Sequence, residues 1–285
     1  MEHLRISIVT TSFNQGAFLE KTIQSVLGQD YPNLEYIIID GGSTDNSVEI
    51  IRKYEKHLAY WVSEKDQGMY HGIQKGFERA TGDVMAWINS DDYYHPNSFQ
   101  VINELFSAFP QIEWVQGIPT VIDERGRTVF VKKFRRWSKY NFLMGDYRHI
   151  QQESTFWRRS LWEKAGGKLD TSLRLAGDFE LWLRFFDHAR LHSLHTLIGA
   201  FRVRSKNQLS LDTASDYDRE AEKVLKNRLA KLSPAEKSDL KFLRNYYRYY
   251  SRIPFVKGYF SKRMRSIYDY PGDIGFDRVK QQFTA

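Results

Sequence analysis

Glu35-Tyr36-Ile37-Ile38-Ile39-Asp40-Gly41-Gly42-Ser43-Thr44-Asp45 is the stretch on which the fold turns. Residues 35–39 form a nearly unbroken apolar run, as expected of a parallel strand covered on both faces. Asp40 follows at once. Gly41 and Gly42 free the backbone for a tight turn, and Ser43, Thr44 and Asp45 are residues that cap a following helix. Outward from this unit the same rhythm repeats. Residues 6–10 read as a β-branched strand, 12–16 as a turn and 17–27 as a helix with Phe18, Ile23, Val26 and Leu27 available for burial. Ser47–Tyr54 reads as a helix, 60–62 as a strand, 68–80 as a helix, 83–88 as a strand and 96–109 as a helix. This βαβα order argues for an α/β protein with an open sheet flanked by helices. Ligands of such sheets bind beyond the carboxyl ends of the strands.

Those strand ends carry acidic loops. Asn89-Ser90-Asp91-Asp92 places two adjacent carboxylates after an apolar strand. They repel unless donors or a cation compensate, and a hard divalent ion carrying a nucleotide diphosphate is one compensator. A pair of capping aspartates is the plainer alternative. Gly177-Asp178-Phe179-Glu180 opens an apolar helix. Asp178 there reads either as an N-cap near the positive end of the dipole or as a general base. Neither G-x-G-x-x-G nor G-x-x-x-x-G-K-[ST] occurs.

The 285 residues (33.7 kDa) contain no cysteine, which excludes disulfides, thiolate metal sites and a cysteine nucleophile. The net charge of +7 is unevenly placed. From Leu211 onward there are sixteen Lys/Arg against ten Asp/Glu, and eight of the seventeen Tyr. The remaining 26 basic and 25 acidic residues leave the first 210 nearly neutral. The expected organisation is a nearly neutral body over 1–210 and a basic, Tyr-rich helical extension over 211–285, with helices at 215–232 and 234–250. Ser233-Pro234-Ala235-Glu236 is a strong helix start. Basic and aromatic residues together suit anionic lipid headgroups; assembly into a homo-oligomer and docking on the body itself are the other readings of this segment. No signal peptide and no run of about 18 apolar residues is read, so the expected location is cytoplasmic, including peripheral contact with the inner face of the cytoplasmic membrane.

Taken in order, Ser7-Ile8-Val9-Thr10-Thr11-Ser12-Phe13-Asn14, Ile38-Ile39-Asp40-Gly41-Gly42-Ser43-Thr44-Asp45, Ser63-Glu64-Lys65-Asp66-Gln67-Gly68-Met69-Tyr70, Asn89-Ser90-Asp91-Asp92, Gln152-Glu153-Ser154-Thr155-Phe156-Trp157-Arg158-Arg159 and Gly177-Asp178-Phe179-Glu180-Leu181-Trp182-Leu183-Arg184 resemble family 2 glycosyltransferases. The likeness spans about residues 4–210. It implies the GT-A fold, a Rossmann-like nucleotide-binding mixed sheet, and inverting transfer of one sugar from a nucleotide-diphosphate sugar to a glycan or lipid-linked acceptor in bacterial surface polysaccharide synthesis. The resemblance puts Asp40 at the nucleobase or ribose, Thr10 or Ser12 on the nucleotide loop, Asp66 at the closing of the nucleoside–sugar site, Asp91 on ribose or donor sugar and Asp92 on a Mg2+ or Mn2+ ion. It makes Asp178 the catalytic base, Arg158 a phosphate contact, and His149 and Gln152 acceptor contacts.

One departure stands out. Where the family has Arg-x-His, this chain has Arg202-Val203-Arg204. Arginine cannot ligate a cation, so Arg204 is expected on the diphosphate instead, which puts strict metal dependence in doubt. Arg136-Trp137 lies before Asp178 and lacks the Gln of the processive synthases' Gln-x-x-Arg-Trp. Single transfer is therefore expected. An inactive nucleotide-sugar-binding homologue is the competing reading. A nucleic-acid-binding protein is remote, since no nucleic-acid motif is present. His188, His192 and His195, and Trp157, Trp162 and Trp182, read as structural.

Overall fold

The computed structural model describes residues 3–146, 150–205, 214–253 and 256–285. The amino-terminal half forms β1 Ile6–Ser12, α1 Gly16–Leu27, β2 Leu34–Asp40, α2 Ser47–Tyr54, β3 Tyr60–Ser63, α3 Met69–Arg79, β4 Val84–Asn89, β5 Tyr93–Tyr94 and α4 Ser98–Ala108. The elements expected there are all present, with ends shifted by one or two residues. β1, β2, β3 and β4 pair in parallel, in the order β3-β2-β1-β4. β1 and β2 are buried almost throughout, which is why residues 35–39 show no polar alternation.

The middle of the chain extends this sheet. It supplies β6 Trp114–Ile122, β7 Thr128–Val131, α5 Lys139–Leu143, β8 Thr155–Arg158, α6 Arg159–Lys164, α7 Gly177–Phe185 and β9 Leu191–Arg202. β8 runs antiparallel to both β4 and β6. β9 lies parallel to β6 and antiparallel to β5. The full order is β3-β2-β1-β4-β8-β6-β9-β5, with β7 joined to β6 as a hairpin. This is the mixed open sheet with flanking helices that was expected.

The core beneath it is strongly aromatic. Trp87 of β4 stacks on Trp182 of α7 with ring centres 5.7 Å apart, and Trp157 and Trp114 pack edge-on or tilted around the pair. Such rings bury much area in fixed offset geometries. They tie α7, and so Asp178 at its start, rigidly to β4. Trp157, Trp162 and Trp182 are core residues.

After residue 213 come α8 Ala214–Ala230, α9 Pro234–Asn245 with a wider π-type turn at Tyr246–Tyr250, α10 Val256–Tyr268 and a small hairpin of β10 Gly275–Asp277 and β11 Gln282–Thr284. α9 starts with the expected capping box of Ser233 and Glu236. The segment packs onto the body. Ala221, Leu232, Leu240 and Ile274 belong to the body's own core cluster, and Leu194 bridges to Ile274. No helix among the described residues is long and apolar enough to cross a membrane.

Candidate active site

The parallel strands end together. Ser12 stands opposite Asp40, Asp40 opposite Ser63, and Thr11 opposite Asn89. The loops that follow therefore meet over one edge of the sheet. Asp40 is buried, and its carboxylate organises its own loop. It accepts from the Gly42 and Ser43 amides at 3.1 and 2.8 Å, from Ser63 Oγ at 2.7 Å and from Ser43 Oγ at 2.5 Å. Asp66 closes over this loop: a Cβ on Gly41 would sit 2.9 Å from Asp66 Oδ2. A side chain at that position would have to push the carboxylate aside. Asn14 is drawn in by Ser43 and Thr44, so β1's loop and β2's loop form one wall. Ser12 Oγ, at the same edge, is buried without a partner among the described residues.

The second wall is the loop after β4. Thr22 of α1 holds it from below, donating to the carbonyls of Ser90 and Asp92 at 2.9 and 2.7 Å. Arg202, at the end of β9, holds it from the side, with Nε 2.5 Å from the Asp91 carbonyl. Asp91 keeps a partly open carboxylate, 3.1 Å from Arg204 Nη2. Arg204 also donates to Gln15 Oε1 at 2.9 Å and lies over the Phe18 ring. Burial pushes the Asp91 carboxyl up, against the opposing pull of Arg204.

Asp178 forms the third wall, in the first turn of α7. A Cβ on Gly177 would meet Tyr70 ring atoms at 2.8 Å, so glycine lets Tyr70 lie against the helix start. Tyr70 Oη is 3.2 Å from Asp178 Oδ1 and 2.9 Å from the Leu175 carbonyl. Glu220 of α8 accepts from the amides of Arg174, Leu175 and Ala176 at 2.7–2.9 Å. Burial raises the Asp178 carboxyl to about 6, opposed by the Phe179 amide and by Tyr70. Asp178 keeps some contact with solvent although it is densely surrounded. A carboxylate raised to this range can take up a proton near neutral pH.

Several expected residues are elsewhere. Thr10 does not line the loop: it is buried inside the sheet, with Oγ1 3.1 Å from Tyr36 Oη. Arg158 is not a phosphate contact. It pairs with Val84 at the amino end of β4, the opposite edge of the sheet, and its guanidinium is taken by the carbonyls of Ile112, Phe106 and Phe109. Gln152 is not exposed to an acceptor; it is buried and donates to the Trp87 carbonyl. His149, and Asn207, Gln208 and Ser210 beyond Arg204, lie outside the described residues.

The donor set also fails the test for a protein-held cation. Asp92 is 1% exposed. Its two oxygens accept from the Arg202 amide at 2.8 Å and Asn89 Nδ2 at 3.1 Å. Burial, with Glu153 and Asp91 nearby, drives its carboxyl well above the usual range. Asp92 is therefore a structural acceptor and not an open ligand, and Asp91 faces a guanidinium. Among the described residues no group of three or more His, Asp or Glu is placed to hold a metal ion.

Glu153 and Tyr70 had no role in the sequence reading, and neither did Arg202 or Glu220. Glu153 is 3% exposed, and burial raises it to about 7, with Asp91 and Asp178 adding to the rise and Lys132 opposing it. Its place in the Gln152–Arg159 motif was the available signal. Tyr70 likewise ends the Ser63–Tyr70 motif.

A model of glycosyl transferase family 2 matches residues 7–206. The chain belongs to this family. An uncharacterised glycosyltransferase of Rickettsia typhi is 25% identical over 264 residues, covering 89% of this chain and 82% of the relative. One from Mycobacterium tuberculosis is 32% identical over 184 residues, 63% of this chain and 68% of the relative. Among solved structures, TarS of S. aureus (residues 1–349) in complex with UDP-GlcNAc superposes with a TM-score of 0.67 at 15% identity, covering 93% of this chain and 82% of that one. A Pyrobaculum calidifontis mannosyltransferase in complex with GDP-Man and Mn2+ gives 0.54 at 14% identity, covering 94% and 88%. The fold is that of nucleotide-sugar-dependent glycosyltransferases, and the chain is a glycosyltransferase by family.

Proposed function

We propose that this glycosyltransferase moves one sugar, with inversion, from a nucleotide-diphosphate sugar to a hydroxyl of a glycan or lipid-linked glycan in bacterial surface polysaccharide synthesis. The observation that carries the reading is Asp178. It sits at the start of a buried helix, held by Tyr70, and its carboxyl is raised to about 6. Asp178 accepts the proton of the acceptor hydroxyl, and the oxygen attacks the anomeric carbon from the face opposite the diphosphate. The nucleoside lies along the loops after β1, β2 and β3, with Ser12 and Asp66 toward it and Asp40 shaping the wall it meets. Asp91 faces ribose or donor sugar. Arg204 supplies positive charge beside Asp91 for the departing diphosphate, a charge-assisted role that a guanidinium suits. The described side chains do not by themselves hold a divalent cation, so no step here is assigned to Mg2+ or Mn2+.

The test is a screen of nucleotide sugars for hydrolysis and thermal stabilisation with purified protein, followed by transfer to acceptor extracts. A donor that stabilises wild type and Asp178→Asn alike, and is turned over by wild type alone, supports the reading. Donor binding with no turnover under any condition would favour the inactive homologue.

A further inference from the structure

The β6–β7 hairpin carries an exposed surface outside the sugar-transfer site, although its turn carbonyls hold Arg202 and Lys132 also acts on Glu153. From Arg125 to Arg136 the sequence has six basic residues and no acidic one. Within that run β7 exposes three consecutive apolar side chains, Val129 and Phe130 at 57% and Val131 at 48%. Successive strand residues point to opposite faces, so neither face of β7 is covered. Among the described strands β7 pairs with β6 alone, and its outer edge is open. Arg127, Arg135 and Arg136 are neutralised by Asp123, Asp146 and Asp273. Arg125, Lys132 and Lys133 have no carboxylate within ion-pair distance among the described residues. Phe130, Lys132 and Lys133 also wall a groove of about 350 Å3.

We infer that the β6–β7 hairpin docks this enzyme on an anionic bilayer surface, with Val129, Phe130 and Val131 entering the interfacial layer and Arg125, Lys132 and Lys133 meeting lipid phosphates. Apolar side chains flanked by unpaired cations are the chemistry of interfacial binding, where buried apolar area and headgroup attraction add. A second copy of the chain fits this edge less well, because pairing two β7 edges would bring two sets of unpaired cations together. A nucleic acid would use the charge but leave Val129 and Val131 in water. The docking itself does not depend on sugar transfer. Only its use, presenting the reaction face to a lipid-linked acceptor, rests on the function proposed above.

The experiment is flotation of the full-length protein, without donor or acceptor, on phosphatidylcholine vesicles with and without phosphatidylglycerol. Binding is expected only to the anionic vesicles and should weaken with salt. Lys133→Gln should lower partitioning about five-fold, the effect of one basic residue near the surface, and Phe130→Asp should abolish it. Both residues are exposed, so melting temperature and donor hydrolysis should not change. The inference is overturned if Phe130→Asp floats like wild type, if plain phosphatidylcholine binds equally, or if binding is lost on changing Tyr249 and Tyr259 and not the hairpin. It is also overturned if Phe130→Asp acts by converting a dimer to a monomer in light scattering, or if single-stranded DNA is bound and vesicles are not. A protein that floats as expected yet transfers no sugar keeps this inference and loses the transferase mechanism.

Discussion

Tyr70 Oη lies 3.2 Å from Asp178 Oδ1, so the proposed base is held by the side chain that opens α3, directly after the Asp66 loop. Tyr70→Phe removes the donor that opposes the upward push of burial on Asp178. The acid limb of kcat against pH should then move above its wild-type position near 6. A merely structural Tyr70 would lower the rate without moving the limb.

Asp178→Asn should abolish transfer and, in alkaline solution, stabilise the protein. Burial raises the carboxyl from 3.8 to about 6. Between those values the folded chain binds more protons than the unfolded chain, so stability falls as pH rises through this window. A shift of that size corresponds to at most roughly 3 kcal/mol, less where solvent still reaches the group. Thermal melts should show the variant more stable than wild type at pH 8 and no different at pH 4.

Glu153→Gln should behave similarly in a window that reaches higher, from the ordinary carboxylate range to about 7. Glu153 is buried and repelled by Asp91 and Asp178, so its neutral form favours the fold. The melting temperature at pH 8 should rise and that at pH 4 should stay. An unchanged value at pH 8 would mean that solvent or an ion already relieves the charge.

Arg204→Ala should weaken donor binding by roughly 10–100-fold, the scale of hydrogen bonds to charged groups. Calorimetric titration with nucleoside diphosphate should show the loss equally with and without EDTA. A wild-type enzyme inactivated entirely by EDTA would restore a cation to the loop after β4.

Asp92 offers a sharper contrast between structural acceptor and metal ligand. Asp92→Ala strands the buried Arg202 amide and should cost about 1–3 kcal/mol. Asp92→Asn keeps an acceptor for that amide, so fold and donor binding should largely survive. An Asn variant with wild-type melting but no transfer would return Asp92 to the chemistry.

The parts of this molecule that could be read from the sequence are those where local pattern and long-range packing agree. α2 begins where its turn residues end, although Asn46 is the N-cap and makes no side-chain cap bond, and of the three expected capping residues only Asp45 reaches the helix, accepting from the Ser47 amide. β1 and β2 show the unbroken burial of inner parallel strands. Asp40, Asp66, Asp91 and Asp178 lie at strand ends or a helix start, where a motif alone places a side chain near the sheet's edge. The strands from β5 to β9 were not read. β9 pairs with β6, more than seventy residues earlier, and its sequence Leu191–Arg202 mixes histidines with apolar residues. Direction was equally hidden. Arg158 looked like a phosphate contact until β8 proved antiparallel to β4, which carries its end to the far edge of the sheet. Arg202 gave no local sign that it would clamp the loop after β4, because that contact depends on how β9 returns across the sheet.

Glu220 gives the carboxy-terminal segment a second meaning. Three backbone amides immediately before α7 end on this one carboxylate, and its negative charge also helps to raise Asp178. The added helices are thus a mechanical and electrical extension of the proposed reaction centre. A chain cut after residue 213 would lose the brace of its proposed base as well as its basic tail.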